Sequence, residues 1–145
     1  MRLLIGAVLV AAVAAAADAP KPPSTEEALV AEWSTAKFVD STTPNSPKGS
    51  QNATIGLDPN TKGATAFVKT PAGTGLPAHW HSFAEYTALL SGKGTLMIDG
   101  KSREVSAGAY FVIPAKTPHQ FTCAAGADCH LLTRRAGPAD YNFIK

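Results

Sequence analysis

The sequence predicts an all-β chain folded as a small double-sheet jelly-roll β-barrel, and three features carry that prediction. Short runs rich in apolar and β-branched residues recur between turn signals from residue 53 onward, as sheet strands do. Asp99-Gly100, at the end of one such run, is a two-residue hairpin signal. Helix-type patterning is confined to one stretch near the N-terminus. With 145 residues, 45% of them hydrophobic, the chain has material for one core and one domain. Its net charge of +2 is small and its charges are scattered, which argues against a nucleic-acid or acidic-membrane surface.

The N-terminus reads as an export signal. Met1-Arg2 supplies a positive start, residues 3–13 a short apolar run, and Ala15-Ala16-Ala17 an A-x-A cleavage pattern before Asp18. That apolar stretch is shorter than the ~20 residues of a spanning helix and is followed by Asp18 and by Pro20-Lys21-Pro22-Pro23. The expected organisation is a signal peptide at 1–17, an N-terminal arm and loop at 18–52 and the barrel at 53–145. The protein would be exported, periplasmic in a Gram-negative bacterium and secreted otherwise, with no stable membrane anchor after cleavage.

Ser24-Thr25-Glu26-Glu27 fits a capping box ahead of residues 28–33, so a short helix or an extended arm is expected there. The arm around Trp33 and Phe38, together with open strand edges, asks for cover and points to a homodimer. Residues 40–52 lack apolar periodicity and form a loop, either bland or a flap over the barrel mouth. Strands are expected at 53–57, 64–69, 85–90, 94–98 and 110–113, followed by one carrying His119.

The chemistry concentrates in His79-Trp80-His81, Glu85 and His119. On an extended strand His79 and His81 point to one face and Trp80 to the other. Three neutral imidazoles and one carboxylate suit a single divalent transition ion, iron, manganese, zinc, nickel or copper, and leave two positions open on an octahedral ion.

The surroundings repeat a known pattern. From Gly73, five residues precede His-x-His, three separate it from Glu85 and six more lead to Gly92; a second block runs from Gly108 through Pro114 to His119. Together these resemble the two motifs of the cupin superfamily. The resemblance implies a cupin barrel, with His79, His81, Glu85 and His119 as metal ligands. The chain departs from the family pattern at Lys116, where the family usually has Gly, and at Cys123, where it usually has Asn; the first bears on turn geometry and the second removes a polar neighbour of the site.

Cys123 and Cys129 flank A-A-G-A-D, which reads as a loop between strands at 120–123 and 129–133. In an oxidising compartment the pair is expected to bridge as the staple of one hairpin. Cys123 lies about 13 Å along the strand from His119, at about 3.3 Å per residue, too far to share its metal. His130 reads as a surface residue. Arg134 and Arg135 read as solvated, with an anion-recognising role as the alternative, and the tail from Gly137 as packing on the outer sheet; Phe83, Tyr86 and Phe121 are the aromatics nearest a ligand cavity.

Two functions remain in view. The first is a metal-dependent enzyme, dioxygenase-like or isomerase-like, acting on a small organic molecule, with Glu85 as ligand or proton acceptor. The second is a non-catalytic module that binds or senses a small molecule or metal.

Overall fold

The structure is a computed structural model, described for residues 28–145. The export signal, its cleavage site before Asp18 and the capping box at 24–27 lie outside the described residues. Eleven strands run in order: β1 (Val39–Asp40), β2 (Gln51–Leu57), β3 (Ala64–Thr70), β4 (His79–Trp80), β5 (Glu85–Ser91), β6 (Lys93–Ile98), β7 (Lys101–Ser106), β8 (Tyr110–Ile113), β9 (His119–Cys123), β10 (Cys129–Arg135) and β11 (Asn142–Phe143). They form a six-stranded sheet ordered β1-β2-β3-β10-β5-β8 and a five-stranded sheet ordered β11-β4-β9-β6-β7. All the pairings are antiparallel, and the two sheets make the jelly roll that the strand spacing predicts.

The inner faces obey the two-residue period of a half-buried strand. Along β5, Thr87 and Leu89 are buried while Tyr86 and Leu90 are exposed. A core cluster of Leu89, Cys123, Cys129 and Leu131 draws on both sheets, and Val68, Val105, Phe111 and Phe121 pack against it. The β6–β7 hairpin turns at Asp99 and Gly100, with φ of 49° and 74°. Positive φ at both turn residues is what a type I′ turn requires.

Among the described residues the N-terminal arm makes a single 3-10 turn at Trp33–Thr35, flanked by Glu32 and Ala36 in extended conformations. Trp33 stacks on His130 with ring centroids 4.0 Å apart and also meets Phe38 and Phe67. The aromatics that asked for a partner's cover therefore find it within the chain, and His130 serves as an outer-face platform. Residues 41–50 fold back between β1 and β2, held by Ser46 Oγ and Asn52 Nδ2 donating to Ser41 Oγ.

Cys123 and Cys129 form a disulfide, but they do not staple a hairpin. Cys123 pairs with Gly94 in the five-stranded sheet and Cys129 with Thr70 in the six-stranded sheet. The short loop between them crosses from one sheet to the other, so the bridge ties the two layers of the sandwich together.

Candidate metal centre

His79 and His119 are directly opposed residues of β4 and β9, which puts both imidazoles on the inner face. His81 lies just beyond β4, where its carbonyl accepts from the Lys116 N–H at 2.7 Å. Lys116 has a φ of 61°, the left-handed conformation that Gly adopts most readily. The departure from Gly at this position therefore keeps the turn, with the strain borne by a lysine.

The three histidines are 5%, 3% and 3% exposed in sequence order, and their ligand atoms lie within 4.8 Å of one another. Each ring is fixed by a backbone carbonyl at Nδ1: Pro77 O at 2.7 Å for His79, Thr117 O at 2.9 Å for His119, and Asp140 O for His81. A carbonyl oxygen only accepts, so each Nδ1 carries the hydrogen, and a ring that is neutral then has its lone pair on Nε2. Burial and then the neighbouring imidazoles depress His79 to about 4, against the raising effect of its Pro77 bond. His119 is lowered too, first by burial. These rings stay neutral at neutral pH, the state in which imidazole binds a metal.

Glu85, on β5, faces Arg135, on β10, as its cross-strand partner. Its Oε2 accepts from Arg135 Nη2 at 3.0 Å and its Oε1 from Thr87 Oγ1 at 2.9 Å. Burial opposes charge on Glu85, but His81 and Arg135 outweigh it and hold the carboxyl at about 2. Oε2 lies 3.2 Å from His81 Nε2, which is buried and makes no hydrogen bond. The contact with His81 that holds Glu85 low is an Nε2–H donating to Oε2, which with Nδ1 also donating exists only in the imidazolium; in the neutral ring two electron-rich atoms face each other at that distance. A cation between them removes the conflict, and ligand atoms about 3 Å apart are what neighbouring positions on an ion with bonds of about 2.1 Å require.

The site opens on a cavity of about 110 Å³, room for several waters or a small organic molecule. Val68, Leu96, Phe111, Phe121 and Leu131 give it apolar walls, while Ser41, Thr43, Ser46 and Ser50 bring hydroxyl-bearing residues from the 41–50 loop. That loop therefore walls the cavity. Of the three aromatics singled out in the sequence only Phe121 reaches it; Phe83 and Tyr86 are 42% and 37% exposed.

A family profile described as "Cupin domain" matches residues 66–133. Residues 66–133 are a cupin domain. Among solved structures, the polyketide cyclase RemF from Streptomyces resistomycificus is similar at a TM-score of 0.67 and 18% identity, covering 82% of this chain and 87% of the cyclase. A cupin-2 domain protein from Rhodospirillum rubrum superposes at a TM-score of 0.65 and 17% identity, over 87% of this chain and 84% of its own. An RmlC-like cupin from Shewanella frigidimarina gives 0.61 and 15%, over 76% and 92%. At these identities the likeness is one of fold. No curated protein matches the chain.

The cupin site draws on residues that the sequence reading placed elsewhere. The tail does not pack on the outer sheet: β11 pairs with β4, joining Asn142 to Trp80 and Phe143 to His79. Tyr141 consequently lines the cavity, and Asp140 supplies the carbonyl that fixes His81 while its carboxylate accepts from Ser82 Oγ at 2.6 Å. Nor is Arg135 solvated. It is 8% exposed, and its backbone is hemmed in by Gly63, where a Cβ would come 2.0 Å from the Arg135 carbonyl oxygen. Arg134, one residue earlier on the opposite face, is exposed and pairs with Asp58 at 3.4 Å. The signal that could have found Arg135 was its parity with Leu131 and Thr133 on the inner face of β10.

Proposed function

We propose that the protein is an exported metal-dependent enzyme acting on a small organic molecule, with one divalent transition ion held by Nε2 of His79, His81 and His119 and by Oε2 of Glu85. The observation that carries this is the set of three buried imidazoles, each locked at Nδ1 so that its Nε2 lone pair is left for a metal. Iron, manganese, zinc, nickel and copper all suit three nitrogens and one oxygen. Bound there, such an ion supplies Lewis acidity, polarising a carbonyl or carboxylate oxygen.

The protein's own residues would do the rest. Carbonyls of Pro77, Thr117 and Asp140 keep the imidazoles oriented, as outer partners of ligating histidines do. Phe111, Phe121 and Leu131 exclude water. Glu85, ionised beside Arg135, would supply a negative oxygen to the ion and is the carboxylate placed to accept a proton from substrate. We favour isomerase-like chemistry, because a fixed carboxylate beside a Lewis acid can move a proton within one molecule. A dioxygenase-like reaction needs a redox-active ion. Export is supported by the disulfide, a bond at home in oxidising compartments.

Glu85→Gln is the informative variant. It should retain part of the metal through an amide oxygen while turnover disappears. Full metal loading without turnover on panels of carbonyl and carboxylate compounds would move the reading to a binding or sensing module.

A further inference from the structure

The cavity holds one buried cation whose hydrogen-bonding capacity is only partly used. Arg135 commits Nη2 to Glu85 Oε2 at 3.0 Å and to the Tyr141 hydroxyl oxygen at 3.2 Å. Its Nη1 is buried with no partner, although the side chain is only 10% exposed. The guanidinium also lies 5.0 Å from the centroid of the Tyr141 ring. Because the Tyr141 oxygen accepts from Arg135, the hydroxyl hydrogen remains to be donated, and no acceptor for it is found among the described residues. Arg135 and Tyr141 both line the cavity. Two donor groups without acceptors thus stand next to the histidine cluster, with the Tyr141 ring 5.0 Å from His81 and 5.5 Å from His79.

Charge selects what could satisfy them. Glu85 and Arg135 are the oppositely charged pair among the residues of the cavity wall, and their charges cancel. A divalent ion would leave this enclosed space with two uncompensated positive charges, a costly state away from water. An anionic occupant lowers that cost and supplies acceptors in the same step.

We propose that Arg135 and Tyr141 are the specificity pole of the cavity and that its occupant is a small organic carboxylate, one oxygen meeting the guanidinium and the Tyr141 hydroxyl while the molecule reaches toward the three Nε2 atoms. This rests on the metal-site reading above. Glu85 and Tyr141 hold Nη2 and leave Nη1 as the donor still to be satisfied; the apolar walls at Phe111, Phe121 and Leu131 take the carbon skeleton.

The test is calorimetric titration of zinc-loaded protein with pyruvate and with its uncharged analogue pyruvamide, after elemental analysis of each sample. Wild type should bind pyruvate at least tenfold more tightly than pyruvamide. Arg135→Lys keeps the charge but loses the forked donor geometry, and should weaken pyruvate tenfold or more. Tyr141→Phe keeps the ring and loses one neutral hydrogen bond, for a weakening of about two- to tenfold; it also serves if Arg135→Lys does not fold. Both variants should carry zinc as wild type does. Equal affinity for the two probes in zinc-loaded wild type, or an unchanged pyruvate affinity in the folded variants, overturns the carboxylate assignment and leaves the metal site standing. Wild type that takes up no zinc or other divalent ion overturns the metal-site reading and this inference with it.

Discussion

Glu85 and Arg135 are directly opposed across β5 and β10, with the guanidinium donating to the carboxylate at 3.0 Å, Arg135 buried and the Glu85 side chain 12% exposed beside the three histidines. A buried pair of this kind contributes little net stability when intact, but removing one partner leaves an unpaired charge. Arg135→Met should therefore cost about 3–5 kcal/mol, and adding Glu85→Gln should recover much of that loss. Denaturant midpoints for the single and double variants check it; additive losses would show that the two residues are not energetically coupled.

Acid should destabilise the metal-free protein in two overlapping windows. His79 is lowered from 6.5 to about 4, so the unfolded chain binds the proton first and stability falls as pH drops from 6.5 toward 4. Glu85 is lowered from 4.5 to about 2, and its contribution, present above 4.5, is lost as pH falls toward 2. Both effects have the same sign, since in each window the unfolded state holds more protons. Urea midpoints at pH 7, 5 and 3.5 should fall in that order, and a midpoint unchanged between pH 7 and 5 would contradict the neutral histidine cluster.

Most of the barrel was legible because its strands follow simple rules. Tyr110–Ile113 was read with its observed bounds, and β2, β3, β5, β6, β9 and β10 to within two residues at each end. The missed β7 is a polar edge strand in which Val105 alone is even partly buried, so it has no alternation to read. The histidines were legible through their spacing. Asp140 and Tyr141 were not, because their roles depend on β11 pairing with β4 across more than 60 residues of chain, whereas Arg135, opposite Glu85 on β10, was missed despite its inner-face parity. The inter-sheet course of the disulfide was hidden for the same reason: a short loop between strands looks alike in sequence whether it closes a hairpin or crosses between layers.

The Cys123–Cys129 link should appear in non-reducing peptide maps of the exported protein. Replacing both cysteines with serine should lower stability by about 2 kcal/mol, the loop-entropy value for so short a span, while metal content stays unchanged. Loss of metal in that variant would mean that the bridge supports the centre itself.

Processing should leave exported protein beginning at or near Asp18 on N-terminal sequencing, because of the Ala15-Ala16-Ala17 pattern. Intact Met1 recovered from a membrane fraction would contradict cleavage.

Self-association should use the edge strand β8, where Tyr110 and Val112 are 65% and 43% exposed and one row of backbone groups lacks a neighbouring strand. Light scattering should report a homodimer that Tyr110→Lys dissociates. A monomer at every concentration would remove this expectation.

Metal stoichiometry tests the central claim most directly. Elemental analysis of protein taken from its native compartment, and of metal-free protein reconstituted in turn with iron, manganese, zinc, nickel and copper, should find about one divalent ion per chain near neutral pH. His79→Ala, His81→Ala and His119→Ala should each lose most of it. Wild type that stays empty with all five ions, or a triple-histidine variant that loads as wild type does, would contradict the account.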